Sequence, residues 1–232
     1  MNRRLFLTTS LGSALIVGCS NKAKRTPHIR VEDFYTDKSG DPVIRVACMG
    51  DSITYGAGIN DREKLSYPSQ LAQLLGPRFD VRNFGRSGAT ASLTGDLPYS
   101  STPENNALKE FQPGVVILML GTNDTKPQNW KGKESFEADY RALITSLRAI
   151  KPRPKIWACF PPPVYHDQWG INAQTLDEVM DAIETVCDRE KVPVIDLFDG
   201  LSGNPAVFPD GIHPNSKGAE LMAKTVFQAV RP

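Results

Sequence analysis

Five short apolar runs alternate with segments whose apolar residues recur at helical spacing, and this alternation limits the fold more than any other feature. The runs are residues 43–49, 79–84, 114–120, 156–160 and 192–197. The run 114–120, Gly-Val-Val-Ile-Leu-Met-Leu, is the most continuous and predicts a central parallel strand buried on both faces. Residues 79–84 alternate apolar and polar, as a strand with one wet face does. Pro193, early in the last run, predicts an edge strand, because proline has no N–H to give to a ladder. Between the runs, Ser66-Tyr67-Pro68 opens a helix with Leu71, Leu74 and Leu75 as its buried stripe, and Gly76-Pro77 ends it. Phe136, Tyr140, Leu143, Ile144 and Leu147 mark a second helix over about 134–150, stopped by Pro152. Leu176, Val179, Met180, Ile183 and Val186 mark a third, and Leu221, Met222, Val226 and Val230 a last. Strand and helix in this rhythm imply right-handed crossovers and a parallel sheet covered on both faces. At 232 residues and 40% hydrophobic content the chain fits one such α/β domain.

The N-terminus stands outside that pattern. Arg3-Arg4 precede an apolar stretch, 5–17, broken by Thr8, Thr9 and Ser10; it is too short to span a bilayer and suits an export signal. Ile16-Val17-Gly18-Cys19 resembles the lipobox of bacterial lipoproteins, in which the cysteine becomes the lipidated first residue. The expected division is therefore a signal peptide at 1–18, a lipidated tether at 19–42 rich in Lys, Arg, Pro and Gly, and a folded domain at 43–232. Asn2-Arg3-Arg4-Leu5-Phe6-Leu7 also resembles a twin-arginine signal, with Asn in place of the usual Ser or Thr. A plain secretory peptide with an incidental Cys19 is the alternative. The expected location is the cell envelope, periplasmic or anchored at the outer membrane, with the membrane reached through the N-terminal lipid alone.

Removing 1–18 takes away two arginines and no acid, so the formal charge moves from +1 to −1 and nucleic acid is not an expected partner. With Cys19 assigned to lipid, Cys48, Cys159 and Cys187 fall on apolar faces as small core residues, and no cysteine spacing suits zinc or a disulfide framework. The glycines of Gly85-Arg86-Ser87-Gly88 do not have dinucleotide-binding spacing. His166-Asp167 lacks a third ligand. No cofactor and no metal are expected.

The chemistry sits at the ends of the runs. The first delivers Gly50-Asp51-Ser52, the second breaks into a small-residue loop with Gly88, the third ends in Gly121-Thr122-Asn123-Asp124, and a late loop holds Asp210-Gly211-Ile212-His213. Carboxyl ends of parallel strands are where ligands bind in such sheets. An esterase needs a hydroxyl, an imidazole to take its proton, a carboxylate to hold the imidazole and donors for the oxyanion. Of three histidines, His28 lies in the tether and His166 in a proline-rich loop, which leaves His213 as the base. Pro214 restricts its backbone, and the Asp-x-x-His spacing lets one turn offer Asp210 to the ring. Asp51 and Asp124 read as loop hydrogen-bonders, and Asn83 as a tie between loops. Trp130, Tyr165 and Trp169 are either a sugar platform or loop packing.

Taken together these residues resemble the SGNH hydrolases, also called GDSL esterases. Four of that family's blocks match in order: Gly50-Asp51-Ser52, the glycine of Asn83-Phe84-Gly85-Arg86-Ser87-Gly88, Gly121-Thr122-Asn123-Asp124, and Asp210-Gly211-Ile212-His213. The resemblance implies Ser52 as nucleophile, His213 as general base and acid, and Asp210 as its orienter. It also implies an oxyanion hole from the Ser52 and Gly88 N–H groups and the Asn123 amide. The implied fold is a three-layer α/β/α sandwich, flavodoxin-like, with a five-stranded parallel sheet. Gly50-Asp51-Ser52-Ile53-Thr54 lacks the second glycine of the α/β-hydrolase elbow.

Members with a similar Gly-Asp-Ser-Ile-Thr-Tyr-Gly-Ala-Gly block are often labelled sialate or xylan O-acetylesterases. The leading expectation is a serine esterase acting on short esters, above all O-acetyl groups on carbohydrate, through an acyl-enzyme. The alternatives are a lysophospholipase or thioesterase on the same fold, and a glycan-binding lipoprotein without catalysis. If Cys19 carries lipid, the protein partitions into detergent and Cys19→Ser moves it to the soluble fraction. A freely soluble unmutated protein with an N-terminus other than Cys19 would contradict the assignment.

Overall fold

The computed structural model describes residues 35–36 and 42–231. The expected signal peptide, Cys19 and most of the expected tether, His28 included, lie outside the described residues. The elements in order are β1 (Tyr35–Thr36), β2 (Pro42–Gly50), α1 (Ser52–Tyr55), α2 (Arg62–Leu65), α3 (Tyr67–Leu75), β3 (Phe79–Gly85) and α4 (Pro103–Phe111). They continue with β4 (Val115–Met119), α5 (Lys133–Arg148), β5 (Lys155–Phe160), α6 (Ala173–Glu190), β6 (Val194–Asp196), α7 (Leu197–Leu201) and α8 (Ser216–Val230). Five strands run parallel in the order β3-β2-β4-β5-β6, as the alternation of runs and helices requires. β6 closes one edge, where Pro193 costs no ladder bond. A sixth strand, β1, pairs antiparallel with the start of β2, Tyr35 opposite Val43 and Thr36 opposite Pro42. Two residues expected in the tether thus join the sheet, and β2 starts at Pro42, one residue ahead of the expected domain start.

The period of two along each strand sorts side chains into two cores. Ala47, Met49, Val116, Leu118, Ile156 and Ala158 face one; Ile44, Val46, Cys48, Val115, Ile117, Met119, Trp157 and Cys159 face the other. The first core is roofed by Leu108 and Phe111 of α4, five residues of α5 and Val179, Ile183 and Val186 of α6. The second is roofed by Tyr67 and Leu71 of α3, Leu197 and Leu201 of α7, and Met222, Val226 and Val230 of α8. Three layers follow. All five residues of β4 are buried, the property its unbroken apolar run predicts. Each large aliphatic side chain removed from water is worth about 1.5–3 kcal/mol, so α8 is held by docking far more than by its own propensity.

Two local readings change, and one helix is new. Leu74 is 39% exposed, and the buried stripe of α3 is Tyr67, Pro68 and Leu71. The last run ends its strand at Asp196, whose carboxylate accepts from the Asp199 N–H at 2.8 Å and caps α7. α4 has no counterpart among the helices expected above, with Leu108 and Phe111 as its only large buried apolar residues, yet its start is marked: Thr102 Oγ1 accepts from the Asn105 N–H at 3.2 Å with Pro103 at the first helical position.

Where β2 ends, the chain turns at once into α1, and this helix lies on the backbone of its neighbours. A β-carbon on Gly50 would stand 2.0 Å from Thr54 Oγ1 and 2.6 Å from the Met119 carbonyl oxygen; one on Gly85 would stand 2.2 Å from the Tyr55 nitrogen. Asn83 fastens the contact, its Nδ2 donating to the Thr54 carbonyl at 2.8 Å and its Oδ1 accepting from the Gly85 N–H at 2.9 Å.

Candidate active site

Ser52 is the first residue of α1, placed there by Asp51, whose Oδ1 accepts from the Ile53 N–H at 2.9 Å as an N-cap. Ser52 Oγ lies 2.8 Å from His213 Nε2, and His213 Nδ1 lies 2.8 Å from Asp210 Oδ2. Residues 161 apart in sequence are thus joined in one hydrogen-bonded chain. The other oxygen of Asp210 accepts from the Ile212 N–H at 2.9 Å and the His213 N–H at 2.7 Å. One carboxylate therefore folds the Asp-x-x-His turn and addresses the ring it presents. Burial acts to raise the Asp210 pKa, but the two amide donors and the His213 ring outweigh it and hold the group below its ordinary value. An ionised Asp210 keeps the proton on Nδ1 and leaves Nε2 to accept from the Ser52 hydroxyl.

The other two expected residues flank this chain. Gly88, in the loop after β3, has φ +84°, and its N–H has no acceptor among the described residues. The Ser52 N–H belongs to the first turn of α1, where the helix itself offers no acceptor. Asn123 is buried; Nδ2 donates one hydrogen to the Ala89 carbonyl at 3.2 Å and has a second to give. Asp124, fully buried, accepts from the Ala91 N–H at 3.0 Å and the Ser92 N–H at 2.8 Å. Both Asp51 and Asp124 are thus the loop hydrogen-bonders their positions suggest.

A further network binds these loops from behind. Asn129 donates to the Asn123 carbonyl at 2.9 Å and exchanges hydrogen bonds with Asp96, and Asp139 accepts from Ser92 Oγ at 2.8 Å and the Leu93 N–H at 2.9 Å. In the sequence Asp96 and Asn129 look like any solvated loop residues and Asp139 like a residue of the polar face of α5, and no motif marks them. The aromatic trio divides. Trp130 packs on Phe136, ring centroids 5.8 Å apart, and Tyr165 packs on Phe208 with its hydroxyl donating to the Leu201 carbonyl at 2.8 Å. Trp169 is 60% exposed, with its ring centroid 5.4 Å from that of His213.

Asp167 is spent on structure, accepting from the Ala173 N–H at 3.0 Å and from Asn172 Nδ2 at 3.2 Å at the start of α6. No group of three or more His, Cys, Asp or Glu among the described residues converges to hold a metal. Cys48, Cys159 and Cys187 are buried and none of them is in a disulfide; burial pushes the Cys48 thiol up to about 12, so it stays a protonated small hydrophobe.

Burial pushes Asp51 up to about 6, against the pull of the Ile53 amide and His213. It pushes Asp124 up to about 7, against the amides of Ala91 and Ser92 and with help from the Asp51 charge. Both folded values lie above the unfolded value of 3.8, so the folded state holds the extra protons in between. Their contribution is complete below the unfolded value and is lost as pH rises through about 6 and then about 7. Asp51 Oδ2 has no hydrogen-bond partner among the described residues, so Asp51→Asn keeps the cap and removes the charge. The melting temperature of the wild-type chain should lose this contribution between about pH 4 and about pH 7, and Asp51→Asn should lose less of it. Equal falls in both proteins would contradict the burial argument.

Residues 48–221 match the family described as GDSL-like lipase/acylhydrolase. An acetylxylan esterase from Xylanibacter ruminicola is 38% identical over 210 residues, covering 82% of this chain and 44% of that protein, so the chain spans a little under half of that relative's length. A carbohydrate acetylesterase from Sinorhizobium meliloti superposes with a TM-score of 0.68 at 22% identity, covering 80% of this chain and 97% of that one. The aryl esterase of M. smegmatis superposes with a TM-score of 0.66 at 23% identity, covering 81% and 100%. These structures share the parallel sheet and its two helical layers. With the family match running from within β2 into α8, the chain belongs to the GDSL-like lipase/acylhydrolase family.

Proposed function

We propose that this chain is a serine esterase that removes short acyl groups, acetyl above all, from carbohydrate. The observation that carries the reading is the unbroken chain from Ser52 Oγ through both nitrogens of His213 to Asp210, 2.8 Å at each step. In the proposed reaction His213 Nε2 takes the Ser52 proton as Oγ attacks the ester carbonyl carbon. Asp210 stabilises the imidazolium that results. The negative charge on the former carbonyl oxygen is met by the Ser52 and Gly88 N–H groups and the second hydrogen of Asn123 Nδ2, donors fixed before the reaction begins. As the tetrahedral species collapses, His213 gives its proton to the leaving sugar oxygen and an acyl-Ser52 remains. Water, deprotonated by the same nitrogen, then releases the acid and restores the hydroxyl.

The acetyl preference rests on the relative at 38% identity, itself an acetylxylan esterase, and on the loops expected to wall the site. Ser87, Gly88, Ala89, Ser92 and the prolines at 161–163 are small or rigid and offer little aliphatic lining for a long chain. An exported, lipid-anchored protein would meet acetylated glycans in the envelope; Ile16-Val17-Gly18-Cys19 supports that placement.

Ser52→Ala should abolish turnover without loss of fold, and Asn123→Ala should lower kcat by about a hundred- to a thousandfold. A change confined to KM in the second variant would mean that Asn123 binds the ground state instead. The acyl preference is read from kcat/KM across acetyl, butyryl, octanoyl and palmitoyl esters of one alcohol. Acetyl should lead. A steady rise with length, as expected if each buried CH₂ adds about 0.8 kcal/mol, would favour a lysophospholipase or thioesterase.

A further inference from the structure

The structure assigns Trp169 as the platform on which the sugar carrying the ester is stacked, on the His213 side of the site. This rests on the carbohydrate reading above and adds the residue that recognises the alcohol half. Five large hydrophobic side chains among the described residues are exposed, Tyr55, Leu65, Leu74, Leu93 and Trp169, and Trp169 is the most exposed of them at 60%. It is also the one whose ring meets the imidazole, centroid to centroid 5.4 Å and tilted by 45°.

Its backbone shows that local geometry did not select it. Ile171 N–H donates to the Gln168 carbonyl at 2.8 Å, closing a turn whose two central residues, Trp169 and Gly170, have φ of +51° and +80°. Two positive φ values in succession are ordinarily filled by Gly, Asn or Asp, because a β-carbon is crowded there. A bulky indole in the first of these positions is strained, and solvent offers its exposed face nothing in return.

The turn is also fixed in place. Gln168 Nε2 donates to the Asp210 carbonyl at 3.0 Å, and the Tyr165 N–H donates to the Gly211 carbonyl at 2.8 Å. On the other side the Asn172 N–H donates to Thr125 Oγ1 at 3.0 Å, and Ile171 is buried. The turn that carries the indole is therefore tied to the loop that carries the base on one side and to the loop that carries Asn123 on the other.

His213 is the group that protonates the departing alcohol, so a surface beside His213 faces the alcohol half of the ester and not the acyl half. An exposed indole there presents an apolar face with a polar edge, which suits the C–H face of a pyranose ring. A small alcohol such as ethanol cannot use it.

The test compares wild-type, Trp169→Ala and Trp169→Phe on acetylated xylo-oligosaccharide and on ethyl acetate. In Trp169→Ala the ratio of kcat/KM for the oligosaccharide to that for ethyl acetate should fall by about tenfold, mostly through KM, the effect of losing uniform binding from a stacked ring. Trp169→Phe, which keeps a ring, should recover part of the ratio. Equal losses on both substrates, carried by kcat, would overturn the assignment and make Trp169 a support for the imidazole. A wild-type protein that cleaves ethyl acetate and leaves the oligosaccharide untouched would overturn the carbohydrate reading, and the platform with it.

Discussion

The first helix lies directly on the sheet, with backbone against backbone, and the position of Ser52 depends on that contact. Gly50 and Gly85 have no room for a β-carbon, so β2, β3 and β4 can close around α1 as a side chain at either position would not allow. A serine at the head of a one-turn helix would otherwise drift, since four residues cannot hold a helix by their own hydrogen bonds. Here the sheet edge, Asn83 and the Asp51 cap fix it from three sides. His213 comes from the far end of the chain to meet the hydroxyl at 2.8 Å.

Three aspartates show how environment divides one side chain among different tasks. Asp210 is partly open to water and receives two amide hydrogens and an imidazole, so it stays ionised and sets the tautomer of the base. Asp51 and Asp124 are sealed from solvent, and burial carries both towards neutrality at mildly acidic to neutral pH. Their work is to hold backbone: Asp51 starts α1, and Asp124 ties the loop after β4 to residues 91 and 92. The fold therefore accepts a stability cost as pH rises in exchange for loops whose amides are tied to buried carboxyl groups, and those loops carry every donor that the proposed reaction uses.

The sheet was legible because burial on both faces leaves an unbroken apolar run, as at 114–120, and because such runs returned at regular intervals with helical patterns between them. The chain from Ser52 to Asp210 was legible because the chemistry restricts the residue types and only His213 was well placed. α4 was not, since on a mostly polar nine-residue segment Leu108 and Phe111 are the only large apolar residues that mark its buried face. The ties made by Asp96, Asn129 and Asp139 were hidden for another reason: a polar residue in a loop or on a helix face reads the same whether it is solvated or locked. Trp130, Tyr165 and Trp169 were alike in sequence, and only tertiary contacts separated the two that pack from the one that faces solvent beside the base.

The central claim is that Ser52 carries the acyl group during turnover. Rapid quenching during hydrolysis of an activated acetate ester, followed by proteolysis and mass spectrometry, reads this directly. The account predicts an acetyl group on the peptide containing Ser52, absent from Ser52→Ala and absent when substrate is withheld. An acetyl group on another residue, or rapid turnover with no acylated peptide under conditions that preserve acyl-serine, would contradict it.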